Sequence, residues 1–359
     1  MIFLTPGPTK TQPELFTWIK EAEDKNIFSL SHRSSWFEGV FEKATSNIRN
    51  LLTIPKDYTI AFVGSATEIW ERSIECCVEK ESFHIVNGEF SNRFFGFSKK
   101  LGRKNPHIDI SPDFKGSFSE ITIPETSEML CFAQNETSTG MMIPNEEISE
   151  LRKKYPNTLF AVDVVSAVPA IQLDFSLIDC AFFSVQKGFA LPAGLGVVII
   201  SPRAIEKAEM LSKKLTTIGT YHSFLSLKEH ADKNQTVETP NIANIWLLEK
   251  ASAKYCSIGR EKIEQDTRLR AQYLTDTLFP LGLTPLVENK KYQSITVLGI
   301  KGFTTSAKEI RSKIEKEFNI QVGSGYGPYV ESTIRIANFP VHTAEEHKAV
   351  CEALKMLIK

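Results

Sequence analysis

The stretch Cys180-Ala-Phe-Phe-Ser-Val-Gln-Lys-Gly-Phe-Ala-Leu-Pro-Ala-Gly-Leu-Gly-Val-Val-Ile-Ile200 decides how this chain is read. Two apolar runs, predicted as strands over Ala181–Val185 and Val197–Ile200, flank a turn rich in glycine and proline. Lys187 stands at the mouth of that turn. An ammonium buried in such a setting costs several kcal/mol unless it is paired or neutralised. One route to neutrality is an imine formed with an aldehyde, and pyridoxal 5'-phosphate (PLP) is the common aldehyde cofactor.

That cofactor needs a carboxylate at its ring nitrogen, an anion cradle and a flat neighbour. The carboxylate candidate is Asp163, which ends the apolar run Thr158-Leu-Phe-Ala-Val-Asp163. Between Asp163 and Lys187 lies enough chain for one crossover of a parallel sheet. The cradle candidate is Gly64-Ser-Ala-Thr-Glu68, between a predicted strand Tyr58–Val63 and a predicted helix Ala66–Cys77. There the N–H groups of Ser65, Ala66 and Thr67 and two hydroxyls point at an anion. Phe90 is the candidate for stacking on the ring. Thr137, in Asn135-Glu-Thr-Ser-Thr-Gly140, is a candidate donor to the phenolic oxygen.

From residue 58 to 200 short apolar strands alternate with helical stretches, the others being Phe83–Val86, Met129–Ala133 and Leu159–Asp163, with helices Asn92–Leu101 and Glu146–Lys154. Such alternation argues an α/β fold with a mostly parallel sheet covered by helices on both faces. Ligands then bind at the carboxyl ends of the strands, which is where Gly64, Phe90, Asn135, Asp163 and Lys187 fall. After Pro240 the pattern changes to helices within Ile242–Phe279, a strand Ser294–Leu298, a helix Ala307–Phe318, a strand Thr333–Ala337 and a last helix Ala344–Leu357. This reads as a large domain over 12–245 and a smaller α+β C-terminal domain over 246–359.

Bulk properties bound the partners. With 42 Lys+Arg against 43 Asp+Glu in 359 residues, there is no electrostatic footprint for nucleic acid and no basic run for a membrane surface. The six cysteines show no CxxC and no metal-ligand spacing, so no metal is expected. Free thiols fit a reducing cytoplasm. The start, Met-Ile-Phe-Leu-Thr-Pro-Gly-Pro8, lacks the features of a signal peptide.

Gln186-Lys187 followed by Pro192-Ala-Gly-Leu-Gly196, with Asn135-Glu-Thr137, Asp163, Thr5-Pro-Gly-Pro8 and Ser31-His-Arg-Ser34, resembles the class V, fold-type I PLP enzymes, closest to the phosphoserine aminotransferases. The resemblance implies a transaminase of serine biosynthesis that exchanges amino groups between phosphoserine and 2-oxoglutarate. It implies that residues 1–11 join the small domain and that Gln186 contacts the cofactor. It further implies a homodimer in which Thr239 reaches the partner's cofactor phosphate. His32, Arg33 and Arg335 would hold substrate anions, Arg335 by a two-pronged grip on a carboxylate. Phe90 stands where that group usually has tryptophan, as in the alanine–glyoxylate branch. Tyr326-Gly-Pro-Tyr-Val-Glu331 replaces the family's His-Arg pair, and Glu238-Thr-Pro240 replaces Asn-Thr-Pro. An alanine– or serine–glyoxylate transaminase is therefore the alternative, and a degenerate PLP-fold binding protein is the alternative outside enzymes.

Overall fold

A computed structural model of the chain describes residues 1–214 and 217–358. Its centre is a seven-stranded sheet in the order Thr59–Val63, Gly196–Ile200, Cys180–Ser184, Leu159–Asp163, Met129–Ala133, Ser82–Val86 and His107–Asp109. From Cys180–Ser184 outward to His107–Asp109 neighbours run parallel. Gly196–Ile200 runs antiparallel to both of its neighbours. The middle strands are buried along their whole length, which explains their unbroken apolar runs. Helices Ala66–Cys77, Glu89–Lys100 and Pro202–Lys213 pack apolar stripes on one side, against residues such as Met129, Ala161 and Phe182. Helices Ser35–Leu52 and Ile242–Ile258 pack with Phe62, Phe160 and Phe183 in the larger core on the other.

A second, five-stranded sheet has the order Ile2–Leu4, Ile320–Ser324, Ile334–Ala337, Val297–Lys301 and Thr284–Pro285. Ile2–Leu4 pairs in parallel with Ile320–Val322, so the first residues lie in the sheet built from the last eighty. The strand expected at Ser294–Leu298 forms at Val297–Lys301, because Ser294 bends the chain instead: its hydroxyl accepts from the N–H of Thr296 and Val297. The helix expected from Asn92 begins at Glu89, where Gly88 ends the preceding strand's loop and Glu136 caps the new turn.

The Lys187 turn is wedged between two other segments. Thr9 N–H donates to Gln186 O at 3.1 Å and Gln12 N–H to Ala190 O at 2.8 Å, so residues 9–12 strap the outer side. On the inner side Gly188 abuts residues 168–169. A Cβ at position 188 lies 1.9 Å from Val168 O and 2.8 Å from Pro169 Cδ, distances no side chain tolerates. Gly188→Ala is expected to destabilise the protein by about 3 kcal/mol or more, since backbone on both sides has to move. Urea denaturation measures this, and a midpoint unchanged from the parent protein contradicts the packing described.

Candidate active site

The site grows from strand ends. Leu159–Asp163 ends in a carboxylate, and Cys180–Ser184 runs into the turn that carries Lys187. Lys187 is 7 % exposed. Its Nζ donates to Thr137 Oγ1 at 2.6 Å and to Ser166 Oγ at 3.1 Å, and it lies 4.8 Å from the Phe90 ring centroid. Burial lowers its pKa to about 8, with Asp163 and Glu136 pulling the other way. Gly7 covers the amine's stem: a Cβ there would sit 2.8 Å from Lys187 Cε.

Asp163 is buried, and burial raises its pKa to about 6. Trp70 Nε1 donates to its Oδ2 at 3.1 Å and Val165 N–H to its Oδ1 at 2.9 Å, which fixes the carboxylate plane. Of the hydroxyls in Thr137-Ser-Thr139, only that of Thr137 faces Lys187. Ser138 Oγ bonds Glu136 and accepts from Glu89 N–H, and Thr139 Oγ1 donates to Asn87 O.

At the proposed cradle, Ser65 caps the helix Ala66–Cys77, its hydroxyl accepting from Glu68 N–H at 3.4 Å. The N–H expected from Ala66 is already committed to Ser184 Oγ at 2.8 Å. The N–H groups of Ser65 and Thr67 have no acceptor among the described residues. Gln186, two residues after Ser184, keeps its buried Oε1 without a partner. Orphaned donors at a helix N-terminus, a buried amine of lowered pKa, a fixed carboxylate and an aromatic face near the amine fit PLP.

Arg335 is 6 % exposed and has no acidic partner within salt-bridge reach among the described residues. Its Nε donates to Ser324 O at 2.6 Å and its Nη1 to Thr137 O at 2.8 Å, while Tyr326 lies beneath its guanidinium at 5.3 Å. It opens on a cavity of about 320 Å³ shared with Thr5, Gly7, Arg311 and Ser324. Burial lowers its pKa to about 10. A buried cation with no carboxylate in direct contact is a place for an anion.

His32, Arg33 and Thr239 lie in a separate group. Arg33 donates to Gln235 Oε1 at 2.7 Å and to Val237 O at 3.4 Å, Glu238 faces His32, and Thr239 is exposed. None of their bonds reaches Lys187 or Arg335. Sequence reasoning missed Ser166, Trp70 and the carboxylate of Glu136, which is fully buried and caps the turn bearing Phe90 through Ser91 N–H at 2.9 Å. Of these only Glu136 had a signal, as the middle residue of Asn135-Glu-Thr137.

The chain is similar to known proteins in both sequence and fold. The family model "Aminotransferase class-V" matches residues 2–347. The crystal structure of a phosphoserine aminotransferase from Cytophaga hutchinsonii superposes with a TM-score of 0.94 at 40 % identity, covering 100 % of this chain and 99 % of that one. A phosphoserine aminotransferase of Rhodococcus opacus is 28 % identical over 67 % of this chain, and the match spans 64 % of that relative's length. An alanine–glyoxylate aminotransferase from Nostoc shares the fold, with a TM-score of 0.85 at 22 % identity, 99 % of this chain and 94 % of that one being covered.

The lowered pKa of Lys187 has a measurable sign. Below about 8 the group is an ammonium and does not attack an aldehyde; above it the amine is free. Labelling of apoprotein by PLP, trapped with borohydride, is expected to accelerate up to about pH 8 and then level off. A rate that keeps climbing towards pH 10 indicates an ordinary, solvated lysine. Lys187→Ala is expected to fold and to lose the label.

Proposed function

This chain belongs to the class-V aminotransferase family, and from that premise we propose that it transfers amino groups between phosphoserine and 2-oxoglutarate. Its cofactor is pyridoxal 5'-phosphate. When bound, that group supplies an electron sink for the substrate's Cα carbanion. The observation that carries the reading is Lys187 itself: an amine half-neutral near pH 8, held by two hydroxyls, with an unpaired guanidinium nearby.

In this reading Lys187 Nζ would hold the cofactor and, when free, would take the proton from the substrate's Cα and deliver it to the carbon on the other side of the nitrogen. Thr137 and Ser166 hold the amine in place before and after. Asp163, fixed by Trp70 and Val165, would keep the ring nitrogen protonated and so maintain the sink. Phe90, whose ring lies 4.8 Å from Lys187 Nζ, would cover one ring face. The N–H groups of Ser65 and Thr67 would hold the phosphate, with the amide N–H of Gln186 as a further donor. Arg335 takes the substrate's α-carboxylate on its free Nη2 edge.

The substrate assignment is supported by the full-length likeness, at 40 % identity, to a phosphoserine aminotransferase. Phosphoserine needs a second anion site, for which His32 and Arg33 are the candidates. Because their group lies on the exposed loops with Thr239, we assign the enzyme as a homodimer in which these loops serve the partner's site. Six unpaired cysteines favour a reducing, cytoplasmic setting. Phe90 favours the second reading, a glyoxylate-type transaminase.

Single-turnover reactions with phosphoserine, alanine, serine and glutamate separate the two readings. Arg335→Ala is expected to lower kcat/KM for every amino acid by about two powers of ten, because each loses a charged hydrogen-bonded pair. Arg33→Ala is expected to lower phosphoserine use by about one to two powers of ten and to spare alanine. Equal losses for both substrates move the glyoxylate-type reading ahead. Sedimentation showing an active monomer overturns the dimer.

A further inference from the structure

His222 is 1 % exposed, yet both of its ring nitrogens meet carboxylates. Nδ1 contacts Glu68 Oε1, and Nε2 contacts Glu238 Oε2 at 2.5 Å. A neutral imidazole carries one N–H and can satisfy one carboxylate; two require the imidazolium. Burial opposes that charge, but the bonds to Glu238 and Glu68 outweigh it and push the pKa up to about 9. Glu68 also faces the other way. Its Oε2 accepts from Gly64 N–H at 3.1 Å, at the turn whose Ser65 and Thr67 N–H groups stand free. A phosphate seated on that turn therefore shares it with a carboxylate of the same helical turn.

We propose that Glu68, His222 and Glu238 are positioning residues that set how tightly the 64–67 turn holds the cofactor's phosphate, Glu68 competing for the Gly64 N–H and His222 drawing that carboxylate's charge away. The inference rests on the reading of this turn as the phosphate cradle. Two carboxylates and one imidazolium leave the group with a single net negative charge. Without His222 the full charge of Glu68 stands against the phosphate. Glu238 anchors the imidazole from its far side, so the ring cannot swing off Glu68. The simpler role for Glu68, at the third position of the helix Ala66–Cys77, is to cap its first turn. The two roles separate by ligand charge: capping supports the fold whatever binds, whereas competition acts only on a phosphorylated ligand.

The test is to titrate apoenzyme with PLP and, separately, with pyridoxal, which lacks the phosphate, following the tryptophan fluorescence. Glu68→Gln is expected to tighten PLP by about tenfold and to leave pyridoxal within about twofold, the size of one helix-terminal charge effect. His222→Gln is expected to weaken PLP by about tenfold, again without moving pyridoxal, and to lose most of that effect in the Glu68→Gln background. Glu68 is partly exposed, so its variant decides the matter even where His222→Gln does not fold. An unchanged or weakened PLP affinity in Glu68→Gln, or equal shifts for both ligands, overturns the proposal. Parent apoenzyme that binds pyridoxal as tightly as PLP overturns the cradle reading instead.

Discussion

Everything at the centre of this molecule depends on keeping an amine and a carboxylate out of water near one another. Lys187 and Asp163 are both buried, and burial pushes each towards its neutral form while each supports the other's charge. The balance leaves an amine that becomes free near pH 8 and a carboxylate still ionised there. Two strands fix that balance by ending side by side: Leu159–Asp163 and Cys180–Ser184 are parallel neighbours, with Asp163 opposite Phe182. The turn after Ser184 then returns Lys187 across the strand ends to Thr137 and Ser166.

The antiparallel strand Gly196–Ile200 makes that return possible. Antiparallel neighbours need no crossover helix, and residues 185–195 join these two directly, so the lysine stays close to the sheet. Gly196 also lets the cradle approach: a Cβ there would lie 2.5 Å from Ser65 C. Ser184 ties the same region to Ala66 N–H. Amine and cradle are thus held by one piece of backbone. Their spacing is set by rigid elements rather than by mobile side chains.

Much of this was legible in the sequence because strands buried on both faces are written as apolar runs, and site residues follow their ends. Lys187, Asp163, Gly64 and Asn135 could be read that way. The edge strand His107–Asp109 could not, since its residues are largely solvent-facing and carry no apolar pattern. Neither could Ile2–Leu4, whose partner lies some 318 positions away. Trp70 looks like any apolar helix residue; that its N–H grips Asp163 across 93 positions is a fact of packing alone. Ser166 is a small residue in a loop, and its meeting with Lys187 depends on how that loop folds back. Glu68, Glu238 and His222 are separately ordinary, and only the fold makes them one charged group.

The strap formed by residues 2–12 gives the chain an awkward order of assembly. Ile2–Leu4 leaves the ribosome long before its strand partner Ile320–Val322. At about 5–20 residues per second the two are separated by about 15–60 s of synthesis. During that interval the Lys187 turn has been made and Thr9 and Gln12 can bond to it, yet Ile2–Leu4 has no strand partner. The nascent Lys187 turn is therefore covered by a strap that is stapled at one end and free at the other until the last strands are made.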